Sequence, residues 1–130
     1  MAVVGGFLLG VMIVSRVQLL GHTIFPPPVT IDPSDPASIE AAMQLMPIAA
    51  LLFVVAAWTL GCLIGSMTAT LIAGPYYILP GMIVGLAILI VTAVNLYHIP
   101  HPLWMALAGL LIPLPVAWAG IKLVWKLKGA

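Results

Sequence analysis

Residues Pro47 to Ala73 read PIAALLFVVAAWTLGCLIGSMTATLIA, an unbroken stretch without a single formal charge. A helix rises about 1.5 Å per residue, so this stretch spans about 40 Å against roughly 30 Å of bilayer hydrocarbon. Apolar residues do not alternate with polar ones along it. A lipid-buried backbone must satisfy its own hydrogen bonds, which leaves a transmembrane helix as the reading.

Working outward, three more stretches have the same character. The first runs from about Ala2 to Ile24, with Ser15-Arg16, Gln18 and His22 as interruptions. The third covers about Tyr77 to Tyr97, and the fourth about Leu103 to Trp125. Proline removes a donor and clashes with the preceding turn, so Pro26-Pro27-Pro28, Gly74-Pro75, Pro100 and Pro102 punctuate the spans. The expected fold is an all-α membrane protein, a single domain of four transmembrane helices over residues 1–130.

Composition agrees. Of 130 residues, 64% are hydrophobic and 5% charged, where a soluble domain carries about 25% charge. A net charge of +1 excludes nucleic-acid binding by phosphate neutralisation, which needs clustered cations. A lone cysteine, Cys62, excludes a disulfide scaffold. Met1 to Gly6 has no basic residue and Arg16 falls where a signal peptide would be apolar, so the first span is expected to be retained.

The few charges are distributed asymmetrically. Lys122, Lys126 and Lys128 cluster at the C-terminus, whereas Asp32, Asp35 and Glu40 all lie between the first two spans. The positive-inside rule then places both chain ends in the cytoplasm and residues 25–46 outside. In that outer segment, Pro26 to Pro28 should be an extended strut. Asp35 is the expected N-cap of a short helix over Ala37 to Leu45, with Pro36 at its first position. Pro47 is a candidate kink, and Glu40 and Gln44 share a face at four-residue spacing.

Small residues recur every fourth position in the second span, at Ala57, Gly61, Gly65, Ala69 and Ala73. Such ladders let helix backbones approach closely where lipid removes the hydrophobic drive. Gly6/Gly10 and Gly81/Gly85 repeat the spacing. The ladder's partner is either another span or another subunit. In the latter case, Gly61→Leu and Gly65→Leu would release the chain from that subunit.

A second stripe, Thr59, Cys62, Ser66 and Thr70, could line a polar path or bond the carbonyl one turn back. Pro113 and Pro115 interrupt the fourth span near mid-membrane; broken helices mark ion sites in some transporters, and prolines also form ordinary kinks. Arg16 is charged within a span, a costly placement. It could snorkel to the interface or pair with Glu40, with Asn95 as a neutral alternative. His22, His98 and His101 gather on the outer side, either as interfacial side chains or as ligands of a metal, haem or chlorophyll. Tyr76, Tyr77, Tyr97 and Trp104 suit an interfacial aromatic belt. No catalytic motif and no phosphate-cradling loop occurs, so no enzyme activity and no cofactor is expected.

The layout resembles a group of small bacterial four-helix membrane proteins without an assigned role. The resemblance rests on Pro26-Pro27-Pro28 followed by Asp32-Pro33-Ser34-Asp35-Pro36, on Met46-Pro47, on Gly61 and Gly65, and on Asn95 with Ile99-Pro100-His101-Pro102-Leu103-Trp104. It implies a multi-pass protein of the bacterial inner membrane. The leading functional expectation is a non-catalytic accessory subunit of a larger inner-membrane complex, such as a respiratory or photosynthetic one, in contact with lipid and with other membrane subunits. A small homo-oligomeric transporter or channel, with Arg16, Asn95 and the hydroxyl stripe along its route, is the alternative. A His-ligated pigment or metal protein is the third reading.

Overall fold

A computed structural model describes residues 1–25, 34–74, 76–98 and 102–129, with the side chains of 36, 43 and 44 outside that description. The elements are α1 (Ala2–Ile24), α2 (Pro36–Leu45), α3 (Ile48–Ala73), α4 (Leu79–His98), α5 (Leu103–Leu111) and α6 (Pro113–Lys128). All described elements are helices. Four stretches are long and apolar enough to cross a membrane: α1, α3, α4, and α5 with α6 end to end.

The breaks follow local chemistry. Asp35 caps α2 as its sequence predicts, its Oδ1 accepting the Ala37 N–H at 3.1 Å, with Pro36 in the first turn. Pro47 does more than kink a helix. It stands outside the first turn of α3 with an extended backbone (φ −64°, ψ 152°), so α2 and α3 are separate helices. The helix α3 ends at Gly74, whose φ of 115° a side chain would oppose. In the fourth span Pro113 and Pro115 lack the N–H groups that would bond the carbonyls four residues earlier. The helix is interrupted at Ile112, whose own backbone stays helical (φ −75°, ψ −42°), and resumes as α6 with Pro113 in its first turn. The strut at Pro26 to Pro28 and the turn at Asp32-Pro33 lie outside the described residues.

The second span is the hub, since α1, α4, α5 and α6 all pack on α3. The reason is its small-residue ladder, and the ladder's partner is within the chain. A β-carbon placed on Gly6 would lie 2.5 Å from the Gly65 carbonyl oxygen and 2.8 Å from the Ala69 β-carbon. One on Gly10 would lie 2.8 Å from the Gly61 carbonyl oxygen, and one on Gly61 would collide with the Val14 side chain. Further along, Gly21 lies against the Phe53 ring, which Phe25 also meets at 5.9 Å between centroids. The two helices are therefore antiparallel, joined along a seam that only glycine and alanine permit.

The remaining spans close the bundle by the same device. A β-carbon on Gly85 would meet that of Ala117 at 2.5 Å, and one on Gly81 would meet Thr70 Oγ1 at 2.6 Å and the Ile121 side chain at 2.7 Å. The interior is thus built of small groups, with Cys62, Ala69, Val84, Ile88 and Ala117 packed as one cluster and Leu51, Trp58 and Met105 as a second. Large apolar side chains such as Leu8, Leu19, Leu52, Ile72, Ile90 and Leu111 point outward, as a lipid-facing surface requires.

Candidate functional site

α1 and α4 run in the same direction, both antiparallel to α3. They touch where Gly10 admits the tip of Ile88, 3.2 Å from the position of a β-carbon. A cavity of about 390 Å³ lies between them, with Trp58 of α3 among its walls. From α1 it is lined by Phe7, Val11, Val14, Ser15 and Gln18, and from α4 by Ile88, Val91, Thr92, Val94, Asn95 and His98. The α1 set steps by three and four residues, as does most of the α4 set, so each helix turns one face to the groove.

The chemistry is graded along the axis. Val11 and Ile88 lie near the middle of their helices and Phe7 toward the start of α1, whereas Gln18, Asn95 and His98 stand toward the helix ends at Ile24 and His98. The polar side chains are unevenly employed. Ser15 Oγ donates to the Val11 carbonyl at 3.0 Å. Thr92 is 4% exposed, yet its hydroxyl makes no hydrogen bond to any described residue, and neither do the Gln18 and Asn95 carboxamides.

That contrasts with the other hydroxyls. Thr23, Thr59, Thr68 and Thr70 each donate to the carbonyl one turn back, at 2.8–3.0 Å. The stripe of Thr59, Cys62, Ser66 and Thr70 is accordingly occupied in internal bonding for the most part. Cys62 Sγ donates to the Pro113 carbonyl oxygen at 3.1 Å, which ties α3 to the break in the fourth span. Ser66 Oγ is buried without a partner among the described residues.

Arg16 does not join this groove. Successive helical residues turn by about 100°, which puts Arg16 roughly 160° around α1 from Gln18 and about 100° from the middle of the Gly6–Gly10 face. Both Arg16 and Glu40 are exposed, and no ion pair joins them among the described residues. The expected Arg16–Glu40 tie is therefore absent there, and Asn95 faces the groove on the side away from Arg16.

The two described histidines, His22 and His98, line different spaces. His98 lines the groove and packs edge-on to Tyr97 at 5.3 Å. His22 lines a separate crevice of about 10 Å³ with Phe53 and Met46, and His101 lies outside the described residues. Among the described residues no three His, Cys, Asp or Glu side chains converge as metal ligands. At the opposite end of the bundle Lys122 lies over the Trp118 ring at 5.9 Å, and Trp125 meets the same ring edge-on at 5.5 Å. The aromatic residues Tyr76, Tyr77, Tyr97 and Trp104 are all exposed near helix ends.

Sequence reasoning singled out Asn95 and His98 but passed over Gln18, Thr92 and Trp58. A usable signal existed, because Gln18 and Asn95 are the only carboxamides inside the spans. Compared with known protein families, with curated proteins and with solved structures, the chain matches none.

Proposed function

We propose that the protein is a non-catalytic accessory subunit of a larger bacterial inner-membrane complex, oriented with the lysine end of α6 in the cytoplasm. Arg16 carries this reading. It is a guanidinium within a membrane span, exposed, and without an ion-pair partner among the described residues. Charge inside a span is costly and is normally paired or turned toward a polar surface. On the same side of α1 stand Leu8, Met12 and Leu19, each more than half exposed. A neighbouring membrane helix with a carboxylate at the level of Arg16 would satisfy both the charge and this apolar face.

The glycine ladder no longer supports an external interface, because α1 occupies it. Gly61→Leu and Gly65→Leu would disrupt the bundle itself rather than report on a partner. The informative change is Arg16→Ala. Extraction from native membranes in a gentle detergent, followed by a native gel and mass spectrometry, should show the wild-type chain migrating with a larger assembly. Arg16→Ala should move most of it to the free position. A wild-type chain that migrates only as a small homo-oligomer would overturn the reading and favour transport.

A further inference from the structure

We propose that the groove between α1 and α4 is a binding site for an uncharged, lipid-soluble quinone, its ring held among Gln18, Thr92, Asn95 and Trp58. The argument starts from hydrogen bonding in lipid. A polar group withdrawn from water without a partner costs several kcal/mol in an environment that offers none. The chain satisfies this demand at Ser15, Thr23, Thr59, Thr68 and Thr70 by local bonds. Around the groove it leaves three groups without one.

Their depth limits the occupant. Asn95 lies about 4.5 Å along the axis from His98, the last residue of α4. Thr92 and Gln18 lie about 9 Å from the ends of their helices. An acyl chain at that level offers no acceptor or donor. A ring bearing carbonyl oxygens does, because a carboxamide NH₂ and a hydroxyl both donate. The lining contains no Asp, Glu, Lys or Arg, and its one titratable side chain, His98, stands at the helix end away from Thr92. No fixed charge at the level of Thr92 would therefore compensate a phosphate or a carboxylate, and the head group is uncharged.

Shape points the same way. A cavity of about 390 Å³ falls at the small end of ligand sites, which run from roughly 300 to 1,000 Å³. Trp58 and Thr92 stand side by side, since both would crowd a β-carbon on Gly109, at 2.9 Å each. The buried indole thus forms part of the wall beside Thr92, whose hydroxyl bonds no described residue and can donate to a ring carbonyl. Val11 and Val91, 38% and 51% exposed, leave the groove open sideways for an alkyl or prenyl tail to pass into lipid.

The test uses the full chain alone in phosphatidylcholine nanodiscs, with decylubiquinone as probe and tryptophan fluorescence as readout. Saturable quenching at one quinone per chain is expected. Decylbenzene, which has the tail without the carbonyls, should not compete at equal concentration. Asn95→Leu and Gln18→Leu should each weaken binding about five- to tenfold, the effect of one lost hydrogen bond. Val91→Phe, at a half-exposed position that needs no repacking, should block the groove while the thermal midpoint stays unchanged. Quenching that rises without saturation, equal competition by decylbenzene, or unchanged affinity in both carboxamide variants would overturn the proposal. Arg16→Ala should bind the probe normally, so failure of the subunit reading leaves this result untouched.

Discussion

The first span has two neighbours, and it treats them differently. Against α3 it presents Gly6 and Gly10, and backbone meets backbone so closely that a single added methyl group would collide. Toward α4 it presents Val11, Ser15 and Gln18, and a groove lies between the two helices. Lipid tails are as apolar as leucine, so helices in a bilayer gain little by hiding apolar surface from lipid. They associate through close van der Waals contact. The seam with α3 has that contact and the groove does not. The difference marks the first as structure and the second as available space.

The largest test of this contrast is Gly61→Leu. The new side chain would enter space already held by Val14 and the Gly10 carbonyl, and overpacking of this kind costs about 3 kcal/mol or more. Thermal unfolding in detergent should show a loss of many degrees or no folded protein. A near-normal midpoint would mean that α1 is not seated on the ladder. Gly85→Leu tests the seam between α4 and α6, where Ala117 is the obstacle. A cost of about 2–3 kcal/mol is expected, somewhat less because the blocking group is a side chain rather than backbone.

Two smaller substitutions sharpen the comparison. Cys62→Ala removes the thiol that bonds the Pro113 carbonyl and should cost about 1 kcal/mol, read from the same melts. Thr92→Val removes a hydroxyl that bonds no described residue while keeping its shape. It should leave stability unchanged or raise it by a few tenths of a kcal/mol, because no hydrogen bond is lost. A clear destabilisation by Thr92→Val would show that the hydroxyl is already engaged and would close the groove as free space.

Much of the fold was legible because the relevant signals are local. Four long apolar runs predict four spans, Asp35-Pro36 predicts the start of α2, and Pro113 with Pro115 predicts the interruption of the fourth span. Gly61 and Gly65 announce tight packing but not against what, since a four-residue repeat fits a helix of the same chain as well as a foreign one. The Arg16–Glu40 tie failed for a related reason: complementary charge says nothing about which way α1 is rolled. That roll is set by Gly6 and Gly10, which turn Arg16 outward. The groove was illegible because it belongs to two helices far apart in sequence, and only their common docking on α3 brings Gln18 and Asn95, 77 residues apart, to one space.

The central place of α3 also sets a timetable for the chain's birth. A ribosome makes α1 first, and the seam that receives it is complete only when synthesis reaches the end of α3 at Ala73, 49 residues after Ile24. At about 5–20 residues per second the first helix waits roughly 2–10 s in the bilayer with Gly6 and Gly10 bare. During that interval its glycine face is open to any passing helix, and insertion factors that shield it would protect the yield of correctly paired bundles.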